Sequence, residues 1–325
     1  MKRCPSACAP GSGPAPTAGR WSVLAAALLW GTTGTAATFA PANVPAAALG
    51  AAGMGLGGIV LLLAGGRDAR VVLRGALGRD RGTPIGGAIL AGAVAVALYP
   101  LCFYSAMHVG GVALGVTTTI GSSPVAAAGF ERVLTGEPLP RGLVAGGAAA
   151  LVGTAVLGTA SLGLAGRSYG AILAGVGLGL LAGSCYGAYS VAGARAIQAG
   201  ASSRGTMGAM FGLASIALLG VVVASAAEVL ATPRGAAVIG YLALVPMGAG
   251  YVLFGRGLRS TTATAATTLS LAEPVVAALV ARVVAGQPVT ALGWVGIGLV
   301  AAGVLVTARR VAVPIVVRPE ELRGG

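Results

Sequence analysis

The chain has 325 residues, of which 56% are hydrophobic and only 9% charged, and its mean hydropathy is +0.90. A water-soluble globular protein carries about 25% charged residues, so this composition excludes one, and it also excludes a disordered chain, which needs low hydrophobicity and high charge. Four cysteines without framework spacing exclude a secreted disulfide scaffold, which leaves a polytopic α-helical membrane protein whose net charge of +13 has to be located.

A membrane-crossing helix needs about 20 mainly apolar residues. In chain order, ten segments satisfy this: 21–40, 44–65, 85–107, 112–130, 143–162, 169–192, 207–227, 236–255, 261–283 and 289–307. The first 19 residues are rich in Pro, Gly, Ala and Ser and have no apolar core of a signal peptide. They read as a flexible tail, in which Cys4 and Cys8 stand without a lipidation motif. Residues 308–325 read as a second tail.

With the first end placed in the cytoplasm, 18 of the 21 basic residues fall on the inner side. Only Arg167, Arg234 and Arg282 fall outside. That asymmetry is what the positive-inside rule requires of ten spans with both termini cytoplasmic. The charge is a topology label, and no nucleic-acid partner is expected. Twenty arginines against one lysine suggest a GC-rich bacterial genome, hence a bacterial plasma membrane.

A repeat runs through the chain at an offset of 150 residues. Pro124, Val125, Arg132, Val133, Gly136, Pro138, Gly146 and Gly153 recur as Pro274, Val275, Arg282, Val283, Gly286, Pro288, Gly296 and Gly303. Upstream, Thr117-Thr118 matches Thr267-Thr268, and at an offset of 152 Gly31-Thr32 is echoed by Gly183-Ser184. Each half (20–162 and 169–307) holds five spans. Five is odd, so the second half enters from the opposite side. The fold class is therefore all-α, ten transmembrane helices as two inverted five-helix repeats, an arrangement typical of secondary transporters.

The stretch Tyr99-Pro-Leu-Cys-Phe-Tyr-Ser-Ala, followed by Gly111-Val-Ala-Leu-Gly-Val-Thr-Thr-Thr-Ile-Gly-Ser-Ser-Pro-Val, resembles the first repeat of the EamA family in the drug/metabolite transporter superfamily. Leu269-Ser-Leu-Ala-Glu-Pro-Val-Val-Ala-Ala is similar to the Glu-Pro signature of its amino-acid and metabolite exporters, and Trp30-Gly31 matches an early Trp-Gly. The family's Gly-Glu before the last helix of each repeat is kept at Gly136-Glu137 but reads Gly286-Gln287 in the second copy. The resemblance implies a ten-helix carrier of small organic molecules, usually an exporter, working without ATP.

Among ionisable groups inside the spans, Glu273 is the clear case. It lies fourteen residues beyond Arg259, about 20 Å along a helix and so near the bilayer midplane. An acid at that depth costs several kcal/mol and is a functional candidate by default. It precedes Pro274, which frees a backbone carbonyl. Glu273 is expected to bind a substrate amine, carry a coupling proton, or both. Its repeat mate is Ser123. Hydroxyls at Thr118, Ser123 and Thr268 could line a polar cavity, although such groups also bond to their own helix. Trp30, Tyr99 and Tyr186 could form its wall, with Tyr189 a further ring within the spans. The ladder Gly175, Gly179, Gly183, Gly187 is expected to be a helix-packing face. Glu131 and Arg132 are expected to pair or be solvated, and Arg282 to snorkel.

The single histidine, His108, rules out a histidine-rich metal site, and the only lysine, Lys2, excludes a Walker A motif. No catalytic residue, cofactor or metal is expected. The reading is a secondary transporter that exports amino acids or amines by alternating access with proton coupling. Its alternative is a multidrug or passive metabolite facilitator without coupling. The expected partners are a small-molecule substrate, protons and the bilayer; the oligomeric state is left open.

Overall fold

A computed structural model describes residues 16–41, 44, 46–78, 82–159, 168–286 and 288–310. Most of both expected tails, Arg167 and Gln287 lie outside the described residues. Every regular element among those described is helical: α1 Pro16–Gly31, α2 Thr33–Ala37, α3 Ala46–Leu77, α4 Pro84–Gly110, α5 Val112–Thr135, α6 Arg141–Thr159, α7 Tyr169–Gln198, α8 Ser203–Leu230, α9 Pro233–Leu242, a π-helical segment Ala243–Ala249, α10 Gly250–Gly257, α11 Ala263–Leu269, α12 Ala272–Ala285 and α13 Ala291–Arg310. Nine stretches among the described residues are long and apolar enough to cross a membrane. The first expected span is divided between α1, of 16 residues, and α2. Residues 16–19, expected in the tail, are helical.

Helix starts follow local chemistry. Thr83, Ser168, Ser202, Thr232 and Thr262 stand at N-caps, each hydroxyl accepting a backbone N–H three residues on, which satisfies one of the donors a helix start leaves open. The repeat mates Gly136 and Gly286 cap the ends of α5 and α12 in the left-handed region, with φ of 70° and 65°. Only glycine adopts that region without steric cost, and this accounts for the recurring glycine before Pro138 and Pro288. In α3 the helix turns at Gly66, φ 52°, ψ −124°, so that the apolar span ends before Arg67, Arg70 and Arg74.

The two halves meet in a contact that maps onto itself under the 150-residue repeat. Helices α6 and α13 cross antiparallel. A Cβ added at Gly303 would lie 2.5 Å from the Gly146 carbonyl, and one at Gly296 would lie 2.8 Å from the Gly153 carbonyl. Exchanging each glycine for its repeat mate turns the first contact into the second. That is the geometry of a two-fold axis perpendicular to both helices. The spans α3 and α8 also pack side by side, and α7 lies between α4 and α5. Its ladder is the packing face expected: a Cβ at Gly175 would meet Gly110, and those at Gly179, Gly183 and Gly187 would meet Thr118, Ser122 and Ala127.

Candidate functional site

Three interruptions of helices come together in the middle of the bundle. In the first, α1 ends at Gly31, directly after Trp30. In the second, Pro246 lies in the π-helical segment between α9 and α10. The third falls at Ser270 and Leu271, between α11 and α12, where Pro274 has no N–H for the Ser270 carbonyl and the Glu273 N–H takes it instead at 2.9 Å. The breaks are tied to one another. Trp30 Nε1 donates to the Pro246 carbonyl at 2.9 Å. A Cβ at Gly250 would sit 2.6 Å from Trp30 Nε1, and one at Gly31 would sit 3.0 Å from the Glu273 carbonyl. Both glycines are therefore required by close approach.

Around these breaks stands an aromatic group. Trp30 lies 6.3 Å from Tyr186, edge-on, and 5.0 Å from Tyr251 (ring centroids). Tyr99 meets the edges of Tyr186 and Tyr189 at 5.9 and 6.0 Å, and Tyr186 stacks on Tyr189 at 5.1 Å. Edge-to-face and stacked pairs at these separations are favourable by about 0.5–1.5 kcal/mol each. The phenols are oriented by hydrogen bonds, Tyr186 donating to Ser270 Oγ at 2.9 Å and Tyr189 sharing a 3.0 Å bond with Tyr251. Ser270 Oγ in turn donates to the Thr267 carbonyl.

Glu273 opens onto this group from the first turn of α12, where the helix dipole favours a negative charge. Its carboxyl group lies within electrostatic reach of the phenols of Tyr99, Tyr104, Tyr186 and Tyr251. The residue is half-buried. Among the described residues none donates a hydrogen bond to its carboxylate. Aromatic faces and a carboxylate together suit a cation.

Of the residues singled out from the sequence, Trp30, Tyr99 and Tyr186 are brought together with Glu273. Thr118, Ser123 and Thr268 turn their hydroxyls onto their own helices, donating to the carbonyls of Leu114, Ile120 and Thr264. Ser123 and Thr268 are buried, and Thr118 packs against Gly179. Sequence reasoning passed over Tyr251, Phe254 and Tyr104. A signal for Tyr251 was present: it stands 152 residues after Tyr99, the offset that relates Gly31 to Gly183.

The end of the bundle that bears most arginines holds a correction. Glu131 neither pairs with Arg132 nor faces solvent. It is 9% exposed and accepts hydrogen bonds from the N–H groups of Ala263 (2.6 Å) and Thr264 (3.2 Å) and from the Thr264 hydroxyl. At the opposite end Arg282 lies exposed over the ring of Trp294, 6.0 Å from its centroid.

Comparison with known proteins adds three findings. The family model described as EamA-like transporter family matches residues 17–159 and again 173–309. An "uncharacterized transporter YwfM" of Bacillus subtilis (strain 168) is 32% identical over 287 residues, covering 87% of this chain and 91% of the relative. A protein crystal structure superposes with a TM-score of 0.69 over 90% of this chain and 98% of its own, at 21% identity, a likeness of fold.

Proposed function

The chain belongs to the EamA-like transporter family, and from that premise we propose that it is a secondary exporter of small amine-bearing metabolites such as amino acids. It works by alternating access between two inverted repeats. The observation that carries this reading is a half-buried carboxylate, Glu273, with no hydrogen-bond donor among the described residues, facing aromatic rings where three helix interruptions meet. Interrupted helices near the midplane are where such transporters bind substrate. The ammonium of the substrate sits against Glu273, and its apolar part lies against Trp30, Tyr99 and Tyr186.

A single carboxyl group can hold a substrate ammonium or a proton, but not both at once. That competition couples the two flows: a proton arriving from outside displaces the amine, and its release inside readies the site again. The 18-to-3 distribution of basic residues supports a plasma-membrane orientation with both termini cytoplasmic.

The test is export of a panel of radiolabelled amino acids and amines from cells with and without the protein, followed by reconstitution. In proteoliposomes, Glu273→Gln should lower flux of the exported amine at least tenfold and remove its dependence on the proton gradient. Unchanged flux with unchanged gradient dependence would refute the role of Glu273. A gradient-independent flux of neutral hydrophobic compounds would favour a passive or multidrug facilitator.

A further inference from the structure

The Glu131 carboxylate joins the two repeats. It projects from the last turns of α5, in the first repeat, onto the start of α11, in the second. The first N–H groups of a helix have no partner within it. Thr262 caps one of them, that of Ala265, and Glu131 takes two more together with the Thr264 hydroxyl. Hydrogen bonds to an ionised acceptor are roughly twice as strong as neutral ones, and here they are shielded from water by burial.

The repeat has no second copy of this contact. Shifted by 150 residues, Glu131 becomes Ala281, while Ala263 and Thr264 become Ala113 and Leu114. The start of α5 offers backbone N–H groups as the start of α11 does, but Ala281 has no acceptor to meet them. Packing follows the same asymmetry. Helix α11 packs on α5, whereas α12, which continues the same span, packs on α1, α2 and α13. Spans four and nine are thus joined at the end that carries the arginines.

We infer that Glu131 is a latch that holds the arginine-rich, cytoplasmic end of the transporter shut, so that the substrate-free protein rests open to the opposite side. It is a positioning residue. It touches no substrate, and it sets the balance between the two access states by stabilising one crossing of spans four and nine with no counterpart in the other. The inference rests on the alternating-access reading above and is independent of what the substrate is.

The test is accessibility. In a background with Cys4, Cys8, Cys102 and Cys185 replaced by alanine, a Thr267→Cys reporter, buried on α11 one turn beyond the latch, is exposed to a charged membrane-impermeant thiol reagent in inside-out vesicles. Labelling should be slow with Glu131 in place and at least tenfold faster with Glu131→Ala. Glu131→Gln and Thr264→Val, which each remove part of the contact, should fall between. A second reporter at the opposite end, Val284→Cys, checks folding by labelling from right-side-out vesicles in every variant. Where Glu131→Ala fails to assemble, the two milder variants carry the comparison. Equal labelling of Thr267→Cys across all variants that fold would overturn the latch. Labelling needs no substrate, so a chain that moved no amine would still report the latch. Failure of the transport assay and failure of the latch are therefore separate results.

Discussion

Glu273 and Glu131 are two acids in one helical bundle with opposite accommodation. The first has no hydrogen-bond donor among the described residues, and the second has three. An acid in a membrane interior costs several kcal/mol unless its surroundings compensate, so the uncompensated one is the group we propose for the substrate. The same contrast holds for the glycines beside the site. A methyl group at Gly250 would press on Trp30 Nε1 at 2.6 Å, and that ring is hemmed in by Tyr186, Tyr251 and Phe254. Gly250→Ala should break the Trp30–Pro246 hydrogen bond and leave the buried indole N–H of Trp30 unpaired, a loss of about 1–3 kcal/mol. It is read as a lower melting temperature of the purified protein together with a higher KM for export. Gly240, with open space where its Cβ would stand, supplies the control: Gly240→Ala should leave both unchanged or raise stability slightly. The sequence made Glu273, Trp30, Tyr99 and Tyr186 legible because an acid or a ring stands out in a chain of small apolar residues. It could not tell a cavity hydroxyl from one bonded to its own helix, since both look alike in sequence. Thr118, Ser123 and Thr268 each bond to their own helix, as Ser270 does while also accepting from Tyr186.

At the scale of elements, interruptions position the site. A continuous α11–α12 helix would give the Ser270 carbonyl an N–H from residue 274, and Pro274 withholds it. Pro274→Ala should allow the span to straighten, moving Ser270 away from the Tyr186 hydroxyl. The expected outcome is transport lowered at least tenfold with thermal stability unchanged or improved, measured on the same reconstituted protein. A parallel loss of stability would mean that the break is needed for folding and would count against its role in the site. The π-helical segment around Pro246 is the counterpart on span eight, in keeping with the tendency of such bulges to fall at functional sites. Hydropathy located the spans because burial in lipid requires length and apolarity. It did not find the break after Gly31 or the π-helical segment, whose residues are as apolar as the regular turns beside them.

For the molecule as a whole, the decisive contact is that of α6 with α13, where backbone meets backbone. A Cβ at Gly303 would lie 2.4 Å from the Ala150 nitrogen and 2.5 Å from the Gly146 carbonyl, and neither can move without shifting a helix. Gly303→Val and Gly153→Val should therefore both destabilise the bundle by roughly 1–3 kcal/mol or more. The readout is reduced accumulation in the membrane and an earlier thermal transition. Because the two positions face the same pair of helices, their combined effect should be less than additive. Full additivity would show that the two close approaches act independently of each other.

What the sequence determined by itself is the part governed by solvent. The membrane class and the positions of the spans follow from the transfer of apolar residues out of water, and the repeat follows from residues spaced at a fixed offset. All of these are properties of the chain read along its length. The tertiary structure decided what depends on distance across the bundle: that Tyr251 and Phe254 join Trp30, and that Glu131 leaves its neighbour Arg132 to cap a helix of the other repeat. The physical reason is that these choices depend on which donors and surfaces are left unmatched once the helices pack, and residues more than 100 positions apart along the chain supply the match.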